Sequence, residues 1–314
     1  MKRLSPVSRG HSRKSSALNN KRALAFAEAL LGVALWSSSA PLTKLAYAEL
    51  DPLHIMSIRY SGAFLLLFPV LWMRSRPTLR KLQRREWIQL IFMGLLSFTL
   101  GNPLLYIGLQ TIPATTSSFL MNGIPIATLM LGALTLREYP RLIQWGGILL
   151  ASIGGIVFFG GHIELSEARG IGLSLIGVLL ITIFGLLARD MTRRERIDPV
   201  ALTAIPMGFG SVVLLAFIWP LPMPSLKVLG ILAWLTFVNS AIAFVLWNHA
   251  LKRLQAFEIS ITGNLMPIGT ALLAPIFLGE PVSSMAWLGI SLSLIGVILV
   301  GVGGKSAPLR NRMI

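Results

Sequence analysis

From about Ala23 to Gly303 the chain is a succession of long apolar runs separated by short polar connections. Within a run the apolar residues occupy every face of a helix. They do not form the single stripe of a surface helix or the alternation of a half-buried strand. A helix crossing a bilayer needs roughly 20 mostly apolar residues. On that measure the pattern predicts ten spans, at about 23–48, 53–73, 87–110, 114–136, 142–161, 170–190, 199–219, 226–250, 257–279 and 284–303. Pro52, Pro113, Pro140, Pro199 and Pro281 stand at span starts or turns, where a missing N–H costs little. The short connections imply antiparallel neighbours.

The first run is too long for a signal peptide, and Pro41 sits where cleavage would follow the small residues Ser38, Ser39 and Ala40. Residues 1–22, polar, basic and Ser-rich, read as a disordered cytoplasmic tail, and 304–314 as a second tail. Composition supports the membrane reading. Over 314 residues 54% are hydrophobic and only 13% charged, about half the charged share of a soluble domain. The absence of cysteine excludes disulfides, thiolate metal sites and Cys nucleophiles.

The formal net charge of +16 would suggest nucleic acid in a soluble protein, but its placement makes it a topology signal. One side receives the N-terminal tail, the Arg74–Arg85 loop, Arg137 and Arg141, the Arg189–Arg196 loop, Lys252 and Arg253, and Lys305, Arg310 and Arg312. The other receives Arg169 and Lys227, while Lys44 and Arg59 lie within spans. Both termini are therefore expected in the cytoplasm.

An offset of 142 residues aligns the two halves. Ala114, Ser118, Asn122, Pro125, Thr128, Glu138, Trp145, Gly147 and Gly154 fall on Ala256, Ser260, Asn264, Pro267, Thr270, Glu280, Trp287, Gly289 and Gly296. Matching Asn, Pro, Glu and Trp together does not follow from shared apolar composition. Five spans per half is an odd number, so the second half is expected to insert upside down, as in many secondary transporters. The expected architecture is an all-α integral membrane fold of ten transmembrane helices built as two inverted five-helix repeats, over 23–161 and 162–303.

The repeated pattern resembles the EamA family of the drug/metabolite transporter (DMT) superfamily. The first half carries Tyr106-x-Gly108-Leu109, Pro113-Ala114, Pro125, Leu136-Arg137-Glu138 and Gly147-x6-Gly154. The second carries Trp247-x2-Ala250-Leu251, Ala256, Pro267, Leu278-Gly279-Glu280 and Gly289-x6-Gly296, and Trp36 to Lys44 looks like the family's first helix. The resemblance spans about residues 25–303 and implies a central cavity and transport of small organic solutes, often export of amino acids or related metabolites. It leaves the substrate open.

Ser118, Asn122, Pro125 and Thr128, with Ser260, Asn264, Pro267 and Thr270, each share one helical face near the middle of a span. Proline there frees the carbonyl of Met121 or Gly263, and broken helices at mid-membrane commonly supply binding groups. Helix packing through small and polar residues is the competing reading. Lys44 and Arg59, within roughly two turns of the outer surface, either snorkel and pair with Glu49 and Asp51 or line a positive vestibule that attracts carboxylates. Trp36, Tyr106, Trp247, Asn248 and His249 form a second tier, with Trp247 also readable as an interface anchor. Glu138 and Glu280 read as helix-end residues, and the glycine heptads as close-packing faces. Glu28 and Glu258 lie near cytoplasmic span ends, which gives proton coupling no support.

The expected function is a permease or exporter of small polar metabolites, amino acids or related compounds foremost. Carriers of lipid- or nucleotide-linked sugars or of hydrophobic drugs are the alternative, and a membrane enzyme a more distant one. No cofactor, metal or nucleic-acid partner is expected. The expected partners are a small-molecule substrate and the lipid bilayer, with the chain as monomer or homodimer in a bacterial inner membrane.

Overall fold

The computed structural model describes residues 8–136, 141–160, 165–193, 197–218, 220–254, 259 and 262–303. Among them every regular element is a helix. The helices are α1 (Ser8–Ser37), α2 (Ser39–Ala46), α3 (Pro52–Leu79), α4 (Arg84–Gly108), α5 (Ala114–Leu120), α6 (Gly123–Leu136), α7 (Leu142–Phe158), α8 (Leu165–Arg193), α9 (Pro199–Ile218), α10 (Leu226–Leu251), α11 (Met266–Leu278) and α12 (Ser284–Gly303). Among the described residues six helical runs are long and apolar enough to cross a bilayer: Arg22–Ala46, Pro52–Leu79, Arg84–Gly108, Leu165–Thr192, Pro199–Ile218 and Leu226–Leu251. Leu65, Phe92, Leu149, Phe217 and Ile276 stand exposed on the outside, as expected where lipid replaces water.

Three features differ from the simple ten-span expectation. α1 begins at Ser8, inside the segment that composition reads as a disordered tail. No proline follows Pro6 there, and extending an existing helix costs far less than nucleating one. The expected fourth span is two helices, α5 and α6, parted by a turn at Met121–Asn122. α7 and α11 are apolar but shorter than a full crossing, and α11 starts after a matching turn at Asn264–Leu265.

Helix breaks are repaired by side chains from elsewhere in the fold. Pro41 has no N–H to give the Ser37 carbonyl one turn earlier, so α1 and α2 part at Ser38. The Thr270 hydroxyl donates to the Ser37 carbonyl at 3.2 Å, and the Asn239 amide donates to that of Leu35 at 2.7 Å. α4 and α10 each widen into a π-helical segment, at Leu95–Gly101 and Leu235–Ile242. Each widening leaves a carbonyl for a side chain five residues on: Asn102 Nδ2 donates to Ser97 at 2.8 Å, and Ser240 Oγ to Leu235 at 2.9 Å.

The long-range packing is symmetric. α3 packs on α9, α5 on α11 and α7 on α12, while the pair α1–α10 is matched by the pair α4–α8. Close backbone approach at glycine sets these contacts. A Cβ on Gly147 would lie 2.5 Å from the Gly296 carbonyl oxygen, and one on Gly154 would lie 2.8 Å from that of Gly289. As α7 advances from 147 to 154 its neighbour on α12 recedes from 296 to 289, so these two helices, aligned by the 142-residue offset, run antiparallel.

Candidate functional site

The packing leaves a cavity of about 230 Å³ at the centre of the bundle, lined from both halves of the chain. Trp36, Ser39, Arg59, Ser97, Asn102 and Tyr106 reach it from α1 to α4. Ser117, Ser118, Met121 and Thr128 reach it from the broken α5–α6 pair, Phe184 and Arg189 from α8, Phe244, Trp247 and Asn248 from α10, and Met266 from α11. The walls are largely apolar, with aromatic rings from Trp36, Tyr106, Phe184, Phe244 and Trp247. Trp36 stands edge-on to Phe244 at 4.9 Å between ring centres and lies 5.2 Å from Trp247.

Arg59 is the polar focus. Its residue is only 2% exposed, and it neither snorkels nor pairs with Glu49 or Asp51. Nε donates to Ser240 Oγ at 2.6 Å, and Nη1 donates to Ser39 Oγ at 2.9 Å and to Tyr106 Oη at 3.2 Å. Ser39 and Tyr106 share a further hydrogen bond of 2.6 Å, and Tyr47 Oη donates to the Tyr106 carbonyl. The Tyr60 and Tyr106 rings each lie 5.6 Å from the guanidinium carbon. A charge at this depth costs several kcal/mol, and hydroxyl dipoles and ring faces offset part of that.

Apart from Arg59, an ion pair joins α2 to the segment that follows α11. Lys44 Nζ lies 2.5 Å from Glu280 Oε1, and Glu280 Oε2 accepts the Ala114 N–H at 2.8 Å. This ties α2, the end of α11 and the start of α5 together. Lys44 takes Glu280 because Glu49 is engaged elsewhere: it accepts both the hydroxyl and the N–H of Ser225, each at 2.6 Å. Those bonds, led by that from the hydroxyl, hold the Glu49 carboxyl below the usual carboxylate range. At its other end the cavity reaches Arg189 and Leu251, next to the basic ends of α8 and α10.

Of the candidates read from sequence, Trp36, Arg59, Tyr106, Ser118, Thr128, Trp247 and Asn248 meet at the cavity. Asn122 and Asn264 are buried in the two helix-breaking turns rather than on the cavity wall. Asn122 Nδ2 has no hydrogen-bond partner among the described residues. Pro125 and Pro267 follow those turns; the freed Met121 carbonyl accepts the Ile124 N–H at 3.0 Å. Thr270 serves the α1–α2 break, and Lys44 the ion pair with Glu280. His249 lies 2.7 Å from Glu28 between α10 and α1, and Asn248 donates to Thr203 at 2.7 Å. Ser260, Glu138 and Glu258 lie outside the described residues. Ser240, Asn102 and Phe184 were not legible as site residues, since no repeat match or charge marks them. Glu280 was marked by the repeat, but not the role it has here.

The EamA-like transporter family model matches the chain twice, over residues 24–160 and 168–302. The chain belongs to the EamA family of the DMT superfamily. It is a multi-pass membrane transporter with a small-molecule substrate. An uncharacterized transporter of Archaeoglobus fulgidus is 25% identical over 90% of this chain and 98% of its own length. A Chlamydia trachomatis protein named an S-adenosylmethionine/S-adenosylhomocysteine transporter is 27% identical over 86% of each chain. A solved crystal structure shares the fold at a TM-score of 0.66 and 15% identity, covering 88% of this chain and 95% of that one.

Proposed function

We propose that this protein is a secondary transporter, a permease or exporter, of small polar metabolites, with amino acids or related compounds as its substrates, working by alternating access. The carrying observation is the central cavity, walled by both family-matched halves and bordered by helix breaks that recur at the same place in each. The cavity lies below the roughly 300–1,000 Å³ of drug-sized sites, which favours small solutes over linked sugars or drugs. The Chlamydia relative is named for an amino-acid-derived solute, in keeping with this class.

Two inverted five-helix repeats are part of the proposal. A twofold axis in the membrane plane sets offset-related helices antiparallel, as α7 and α12 are, whereas repeats of one orientation would allow them to run parallel. The basic loops then orient both termini to the cytoplasm of a bacterial inner membrane. In this reading Trp36, Arg59, Tyr106, Ser118, Thr128 and Trp247 face substrate, and Asn122 and Asn264 sit at the hinges of the broken helices. Reconstituted vesicles tested with a panel of amino acids and their derivatives should show saturable counterflow of at least one solute. Linear, unsaturable flux would replace the carrier with a channel.

A further inference from the structure

We infer that Arg59 is the anchor for a carboxylate on the transported solute, and that the solute joins this carboxylate to an apolar or aromatic body. The inference rests on the transporter reading and names the chemistry its site selects. Arg59 lines the cavity and is almost fully buried. Its three hydrogen bonds, from Nε and Nη1, all go to hydroxyl groups. Hydroxyls satisfy N–H donors without neutralising a full charge. Among the described residues no carboxylate forms an ion pair with this guanidinium, and none of these three hydrogen bonds comes from Nη2. Lys44, the neighbouring cation, already has Glu280. Lys44 and Arg59 are therefore unlike: one is neutralised within the protein, the other is held rigid and left to be neutralised by what enters.

The hydroxyl clamp has a second effect. Ser240, Ser39 and Tyr106 come from α10, α2 and α4, so the planar fork is fixed before a ligand arrives. With Nε and Nη1 engaged by the hydroxyls, the Nη2 edge is held in one place to give a carboxylate oxygen a charge-assisted hydrogen bond, where a lysine ammonium would have to be ordered first. From that fork the cavity wall continues as Trp36, Phe184, Phe244 and Trp247, which offers an apolar body aromatic faces to lie against.

Matched acids and amides test the inference without knowledge of the physiological solute. Purified full-length protein is titrated with phenylacetate against phenylacetamide, indole-3-acetate against indole-3-acetamide, and phenylalanine against phenylalaninamide, all at millimolar concentrations. Thermal stability is the readout. At least one acid should stabilise the protein, with its amide weaker by about tenfold or more. Arg59→Lys should weaken acid binding while keeping a preference for acids, and Arg59→Gln should erase the preference. If Arg59→Gln does not fold, the wild-type and Arg59→Lys comparisons still decide the matter. Amides that bind as well as their acids, an acid preference unchanged by both variants, or no stabilisation by any of the acids would overturn the carboxylate anchor. The carrier reading would survive each of these, because saturable counterflow of some other solute can still be observed.

Discussion

On the alternating-access reading, in which the Lys44–Glu280 pair latches the outer end of the bundle, Glu280→Gln should release that latch. The carboxylate holds two things at once: the Lys44 ammonium at 2.5 Å and the Ala114 N–H at 2.8 Å. The side chains of the pair are 20% and 23% exposed, so the attraction is partly screened and deserves the upper part of the surface range, about 0.5–1 kcal/mol. The hydrogen bond from Ala114 to a charged acceptor adds about 1.5–3 kcal/mol. Glutamine is still able to accept that N–H, and the freed lysine can find water, so part of the loss is recovered. A net cost of about 1.4–2.8 kcal/mol to this closed state remains, or ten- to a hundredfold in its population ratio. The chain has no cysteine, so a single Ser117→Cys on the cavity wall reports access directly. A membrane-impermeant maleimide applied from outside should label this cysteine about ten to a hundred times more readily when Glu280→Gln is added. Lys44→Gln should act in the same direction. Unchanged outside labelling in both variants, with both proteins folded, would refute the latch.

Two further substitutions test the packing that builds the site. Gly147→Ala should destabilise the protein by about 1–3 kcal/mol in a thermal unfolding assay, because the new methyl meets atoms that cannot swing away: the Gly296 carbonyl at 2.5 Å, the Val300 nitrogen at 2.8 Å and the Leu299 Cβ at 3.0 Å. Gly146→Ala is the control, since nothing lies within 4 Å of a Cβ there, and equal stability of the two variants would remove the close-packing account. Thr270→Val keeps the side-chain shape but leaves the buried Ser37 carbonyl without its hydroxyl. It should lower stability by about 1–2 kcal/mol, and no loss would mean that the α1–α2 break is satisfied in another way.

The membrane character and the doubling of the chain were legible in the sequence, while of the ten expected spans six runs among the described residues are long and apolar enough to cross. Hydrophobic run length reports on bilayer thickness, and basic loops report on sidedness, without regard to which helix touches which. The matched Asn-Pro pairs located both helix-breaking turns because proline acts on its own backbone. The partners of the charges were not legible. Lys44 and Glu280 lie 236 residues apart, and the three hydroxyls around Arg59 come from positions 20, 47 and 181 residues away. Sequence proximity pointed instead to Glu49 and Asp51, but a rigid helix cannot turn Arg59 toward them when its face is directed into the bundle. Local sequence thus determined which segments enter the membrane and where they bend. Which polar groups meet there was decided by the packing of the two halves, since a charge taken out of water must find its partners among whatever groups the fold brings within hydrogen-bond reach.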